Sequence, residues 1–339
     1  MDKTMTIDGS QGEGGGQVLR TSLSLSAITG TGVRLVKIRA GREKPGLKRQ
    51  HLTCVRAAQA ICGAEISDVE VGSMELDFRP GPVKGGEYRF AVGTAGSVTL
   101  VAQTVIPVLL KADAPSSVTI TGGTHVPFAP IWEFFAETYL PELRRMGARV
   151  EAEIESCGFY PAAGGAVKLR VWPFNAEDAN QDWSFTSLGE YKGCLAVGAV
   201  SNLVRAIAET EAEIVAEKLA AHRQDVREVA SPGPGNYCLA RLDFERASIV
   251  FSEVGTYDRS RKAVANSVVS QARRFQKSGA AVERHLADQL LVPAAVLLGR
   301  RGTPEDLGIA IEKETLHYTT NRDVIAAFCD NRLTDQPTN

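Results

Sequence analysis

Turn signals in this 339-residue chain recur at an almost constant offset, and this constrains the fold more than any single motif does. Gly15 and Gly96 lie 81 residues apart, Pro45 and Pro127 lie 82 apart, and Gly63 and Gly147 lie 84 apart. In both registers a Gly-x-x-x-Pro follows a strand-like run, with Gly41 before Pro45 and Gly123 before Pro127. Several turn signals sharing one offset indicate an internal repeat. The hydrophobic period within each copy predicts β-α-β-α-β-β. In the first copy a short apolar run at Met5 and Ile7 precedes a helix carrying Val18, Leu19, Leu23, Leu25 and Ile28. A strand over 33–38, a helix over 47–62 closed by Gly63, and strands over 65–71 and 75–78 follow. The second copy predicts strands over 88–92, 118–121, 149–154 and 166–171, with helices over 100–110 and 131–146.

A third copy reads as split. A helix over 280–298, a strand over 308–311, a loop over 313–321 and a helix from 323 would complete it. His317 then takes the loop position that Arg42 and His125 take in the first two copies. Before it, residues 183–277 have a different character: strand-like runs near 194–200, 237–242 and 247–253, with charged helices over 206–221 and 261–277. Their charge runs read as solvated faces. The expected architecture is α/β (α+β): a large repeat-built domain from 1–182 and 278–339, with a small inserted α/β domain at 183–277.

The composition, 44% hydrophobic and 23% charged, is that of a globular protein with a sizeable core. A net charge of −2 argues against a general nucleic-acid coat protein. Cys54, Cys62, Cys157, Cys194, Cys238 and Cys329 show no Cys-x-x-Cys pairing, which predicts scattered thiols rather than a zinc site or a disulfide framework. The first residues hold no apolar leader core, and the longest apolar stretches, such as 290–298, are too short to span a bilayer. A cytoplasmic protein is expected, with no membrane partner.

The glycine-rich stretch from Ile7 to Arg20 stands between a strand and a helix. Its backbone N–H groups and the helix start could cradle an anion, and Glu13 could hold a metal beside it. A tight turn needing glycine for geometry alone would look the same. The stretch matches neither the Walker pattern nor the dinucleotide fingerprint in its usual setting. From Arg39 to Arg56 six Lys/Arg stand against one Glu, a local basic cluster on an acidic whole.

Six ordered segments resemble the RNA 3′-terminal phosphate cyclases. They are Asp8-Gly-Ser-Gln-Gly-Glu-Gly-Gly-Gly-Gln-Val-Leu-Arg20, Arg39-Ala-Gly-Arg-Glu-Lys-Pro-Gly-Leu-Lys-Arg-Gln-His51 and Gly122-Gly-Thr-His-Val-Pro-Phe-Ala-Pro130, then Gly158-Phe-Tyr-Pro161, His285-Leu-Ala-Asp-Gln-Leu290 and Leu316-His-Tyr-Thr-Thr-Asn321. The resemblance implies three β-α-β-α-β-β units, shared with the enolpyruvyl transferases, plus a small inserted domain. It also implies ATP-dependent conversion of an RNA 3′-phosphate to a 2′,3′-cyclic phosphate through a covalent histidine–AMP intermediate.

Carried onto this sequence, the resemblance makes His317 the nucleophile and Glu13 the ligand of a divalent metal, Mg2+ or Mn2+. Arg20, Arg42 and His51 become phosphate or RNA contacts. Gln103, Pro130, His285, Leu286, Ala287, Asp288 and Gln289 fall where the family handles ATP. Position 285 is often tyrosine in the family, and histidine stacks more weakly. The approach to His317, from Leu298 to Gly308, is longer than the family typically has. Two other readings stay open: a non-catalytic cyclase-like protein that binds RNA in ribosome assembly, and an enolpyruvyl transferase. The sequence does not reveal the oligomeric state.

Overall fold

The computed structural model describes residues 4–299 and 303–332. Met1, Asp2 and Lys3, and Arg300, Arg301 and Gly302 of the approach to His317, lie outside the described residues, as does the Cys329 side chain. The first unit runs β1 (Met5–Asp8), α1 (Gly16–Thr29), β2 (Val33–Val36), α2 (Arg49–Cys62), β3 (Glu65–Ile66) and β4 (Leu76–Arg79). The second runs β5 (Glu87–Ala91), α3 (Val98–Leu109), β6 (Ser116–Gly122), α4 (Trp132–Phe134), α5 (Leu140–Arg145), β7 (Val150–Ser156) and β8 (Gly165–Val171). Their sheets have one topology. The orders are β1-β2-β4-β3 and β5-β6-β8-β7, each with its first pair parallel and the others antiparallel. The repeat read from turn spacing is thus a repeat of strand order.

Gly63 ends α2 with φ 60°, a left-handed position that a side chain would strain. The helix expected over 131–146 is interrupted by a π turn at Phe135–Tyr139, where Leu140 N donates to Phe135 O. Pro141 follows, with no N–H to continue an i→i−4 ladder.

The next segment builds a third sheet: β9 (Tyr191–Ser201), α6 (Ala206–Leu219), β10 (Arg223–Glu228), β11 (Gly235–Phe244), β12 (Ser248–Val254) and α7 (Arg261–Ser278), in the order β10-β9-β11-β12. The sequence reading missed β10. Its Arg-Gln-Asp-Val-Arg-Glu has one apolar residue, as an edge strand can afford.

The last described elements are α8 (Arg284–Leu298), α9 (Pro304–Leu307) and α10 (Leu316–Arg332). Here the third copy departs from expectation. Among the described residues it forms no four-stranded sheet. The expected strand at 308–311 makes only isolated parallel bridges, Ile309 with Phe185 and Ile311 with Val282. Nor is 313–321 a loop throughout. Thr315 Oγ1 accepts from Tyr318 N at 3.1 Å, the geometry of an N-cap, and the helix starts at Leu316.

Helices from all three units pack together. α1 lies against α2, α3 and α10, α3 against α8, and α8 against α10. α1 is therefore buried on nearly all sides, and its small hydroxyl residues allow that. Ser24 Oγ donates to Thr104 O at 2.8 Å, and Thr21 Oγ1 to Asn321 Oδ1 at 2.6 Å, which ties the first unit to α10. Truncating Leu19 or Leu23, both fully buried, would cost about 2–5 kcal/mol. This helical core is the platform on which the loops at one end converge.

Candidate active site

The glycine loop leaves β1 through Asp8, whose Oδ1 accepts from Ser10 N at 2.9 Å and whose Oδ2 pairs with Lys37 Nζ at 2.8 Å. Lys37 and Ser10 together hold the Asp8 carboxyl down at about 2. At Gly12 the backbone turns left-handed, φ 57°, and passes so close to Thr320 that a side chain would meet its hydroxyl. Glu13 N then donates to Thr320 Oγ1 at 3.0 Å, docking the loop onto α10. Glu13 Oε1 pairs with Arg42, whose Nη2 also donates to Glu13 O at 3.0 Å.

His317 stands on the first turn of α10, with Nε2 3.6 Å from Glu13 Oε1 and its side chain 45% exposed. Burial, then the charges of Arg20, His285 and Arg42, hold its pKa below the ordinary imidazole value, so the ring is neutral near pH 7. Arg20, on α1, donates from Nη2 to Gln17 Oε1 at 2.8 Å. Among the described residues no carboxylate lies within ion-pair distance of it, so most of its donors face the cleft uncommitted. His51 is buried on the first turn of α2, its Nδ1 accepting from Lys48 N at 3.1 Å. That bond assigns the ring proton to Nε2. Burial first, then Arg20, Arg39 and Lys48, push its pKa down to about 3. Gly16 leaves the space into which the His51 and Arg20 side chains project.

Of these groups Gln17, Arg20 and His317 line a cleft of about 780 Å3, within the usual size of a small-molecule site. Gln103, Pro130, His285, Asp288 and Gln289 line it. Gln103 Nε2 donates to Gln289 Oε1, and Pro130 O accepts from Thr99 Oγ1 at 2.7 Å. The Asp288 carboxyl is buried; burial, reinforced by Glu283 and opposed by Arg20, pushes it up to about 8, which makes it a hydrogen-bond donor at neutral pH. Leu286 and Ala287 have their side chains fully buried in the core, away from the cleft.

Several cleft residues were not found from sequence. β12 and the turn after it contribute Glu253 and Arg259, which pair at 2.9 Å. Glu312, almost fully buried, holds Arg274 of α7 at 2.9 Å and also Arg284 of α8. Glu312 lies 38 and 28 residues from Arg274 and Arg284, too far for spacing to link them. His125 is a core residue. Its Nε2 meets Glu133 Oε2 at 2.8 Å, Tyr237 OH donates to Glu133 Oε1 at 2.7 Å, and the ring stacks on Tyr237 at 4.4 Å. The pair closes the loop 126–131 that carries Pro130.

Among the described residues no cluster of three or more His, Cys, Asp or Glu could cage a metal. Glu13 Oε2 is nevertheless buried with no hydrogen-bond partner. One unpartnered carboxylate oxygen, on a side chain whose other oxygen pairs with Arg42, suits a Mg2+- or Mn2+-like cation that would draw its other ligands from phosphates and water. The five described cysteines are all free, and no helix is long and apolar enough to cross a membrane among the described residues.

A family model described as RNA 3′-terminal phosphate cyclase matches residues 11–334. A Pseudomonas fluorescens protein named RNA 3′-terminal phosphate cyclase is 43% identical over 327 residues, covering 96% of this chain and 92% of that protein. A protein of the same name from Ralstonia nicotianae is 43% identical over 331 residues, covering 97% and 93%. One from Salmonella enteritidis is 42% identical over 339 residues, covering 100% and 97%.

Proposed function

The chain belongs to the RNA 3′-terminal phosphate cyclase family, and from that premise we propose that it converts an RNA 3′-phosphate to a 2′,3′-cyclic phosphate with ATP as co-substrate. The observation that carries the reading is His317, a neutral, half-exposed imidazole at the cleft between Glu13 and the uncommitted Arg20.

In the first step His317 Nε2 attacks the α-phosphorus of ATP. A P–N bond forms, and the bond to pyrophosphate breaks. Arg20, with Nε2–H of His51 beside it, offsets the charge that gathers on the phosphates. The N-terminus of α10 adds partial positive charge at the same place. A divalent cation at Glu13 Oε2 would supply further neutralisation of the departing pyrophosphate. Gln103, Gln289 and the protonated Asp288 orient the nucleotide, and the His285 ring offers it a face.

In the second step an oxygen of the RNA 3′-phosphate attacks the phosphorus of the histidine-bound AMP, and the P–N bond breaks. The terminal phosphate now carries AMP as a good leaving group. In the third step the neighbouring 2′-hydroxyl oxygen attacks it, AMP departs and the hydroxyl proton is released. Proximity makes this step effectively unimolecular.

Incubation with α-labelled ATP and Mg2+ or Mn2+ tests this. An acid-labile label is expected on the wild type and none on His317→Ala, with labelled protein passing AMP to 3′-phosphorylated RNA and cyclic ends appearing. Absence of label with either metal would sink the covalent route.

A further inference from the structure

One feature of the cleft is used by none of these steps. Phe128, in the loop 126–131, is fully exposed and holds φ 63°. A left-handed backbone strains a bulky residue, and an unburied ring returns nothing to folding. Neither packing nor turn geometry accounts for phenylalanine here. Phe128 nonetheless lines the same cleft as His317.

The third sheet supplies a wall of that cleft through β12, which packs beside α4 and the π turn that follow the Phe128 loop. Arg259 and Arg274 stand on this wall, with Arg284 next to them. The three share two carboxylates, Glu253 and Glu312, so positive charge is left over. Arg274 spends its Nε on Glu312 and stays 47% exposed. Glu283, also here, is turned into α8, its Oε2 accepting from His285 N and Leu286 N at 2.8 and 3.0 Å.

We propose that Phe128 and the arginine-bearing wall form a track for the single-stranded RNA just 5′ of the reacting phosphate, a nucleobase stacking on Phe128 and backbone phosphates meeting Arg259 and Arg274. An exposed aromatic combined with surplus arginine is the chemistry of single-strand binding, and stacking tolerates any base. Phe128 has open solvent around it. On this reading a mononucleotide ends within the cleft, and a polynucleotide continues past that ring. The track rests on the RNA reading above.

Direct binding tests it. Affinities for a short 3′-phosphorylated oligoribonucleotide and for a 3′-mononucleotide are measured by fluorescence anisotropy and competition on the wild type, Phe128→Gly and Arg259→Ala. Phe128→Gly suits the left-handed backbone, so its melting temperature is expected to hold or rise. Its Kd for the oligonucleotide should weaken about tenfold, in line with the loss of one base stack. Its Kd for the mononucleotide should not move. Arg259→Ala should weaken the oligonucleotide and flatten its salt dependence. Unchanged oligonucleotide affinity in Phe128→Gly overturns the track, and so does equal weakening of both ligands. A raised ATP requirement for covalent labelling in Phe128→Gly would instead assign the ring to adenine and also overturn it. Wild-type protein that binds the oligonucleotide but makes no cyclic ends would retire the cyclase reading alone.

Discussion

His317 Nε2 and Glu13 Oε1 lie 3.6 Å apart, although one stands near the end of the chain and the other near its start. A carboxylate that close would ordinarily raise an imidazole pKa. Here the same oxygen is engaged by Arg42, so its negative charge is largely offset. Burial and the surrounding cations prevail, and the ring stays neutral. Arg42 thus keeps the carboxylate beside His317 without raising the basicity of the imidazole. The other carboxylate oxygen is buried and has no hydrogen-bond partner.

Glu13→Gln is expected to raise the divalent-ion concentration needed for half-maximal covalent labelling by about tenfold or more. High metal should recover part of the rate. An unchanged half-saturation point would mean that Glu13 serves only as Arg42's partner.

Gly16→Ala tests the placement of His51 and Arg20. Gly16 opens α1, and alanine favours a helix by up to about 1 kcal/mol. A Cβ there would, however, meet His51 Nε2 and Arg20 Nη1. The Arg20 end can swing away; the buried His51 ring cannot. Expected are a lower melting temperature, because the clash with the buried ring outweighs the helix gain, and labelling slowed about tenfold, as a lost contact of about 1–2 kcal/mol implies. Full activity would show that neither side chain needs its position.

The two complete repeats were legible because their punctuation is chemical. Gly63 must turn left-handed to end α2, and Gly147, φ 109°, does the same work after α5. Such signals survive in sequence whatever packs around them. The third copy was less legible because its partners are distant: Ile309 and Ile311 bridge to Phe185 and Val282. His317 was found by motif, but the start of its helix was not: the sequence reading begins the helix at 323, and it begins at Leu316. Thr-Leu-His-Tyr-Thr-Thr-Asn lacks an apolar period and reads as loop, although Thr315 was available as an N-cap. His125 carried no local sign that it was a core residue; Glu133 is eight positions away and Tyr237 lies in another sheet.

That buried network predicts a stability effect at Tyr237. Burial pushes the Glu133 pKa up, but the His125 ring and the Tyr237 hydroxyl more than offset it and hold it below its ordinary value. Tyr237→Phe deletes one donor and leaves Glu133 Oε1 short of a partner. The expected cost is about 1–3 kcal/mol, read as a lower denaturant midpoint with an unchanged slope. Tyr237→Phe at wild-type stability would mean that water or another group replaces the hydroxyl.

Glu211 predicts a pH dependence. It is fully buried on α6; Oε1 accepts from Asn236 Nδ2 at 2.7 Å, and Oε2 has no partner. Burial, only partly offset by Asn236 and the charge of Arg261, pushes its pKa from 4.5 up to about 7. The folded state therefore holds this proton more tightly than the unfolded chain does. The stabilisation is fully present below pH 4.5 and is lost as pH rises through about 7. Above that, an ionised buried carboxylate costs the fold up to about 3 kcal/mol. Glu211→Gln removes the ionisation while keeping an oxygen for Asn236. It should stabilise the protein by about 1–3 kcal/mol at pH 8. The gap should shrink towards zero near pH 5, where the wild-type carboxyl is already neutral in the fold. Denaturation midpoints of both proteins at the two pH values decide it, and a gap independent of pH would show that Glu211 does not titrate across this range.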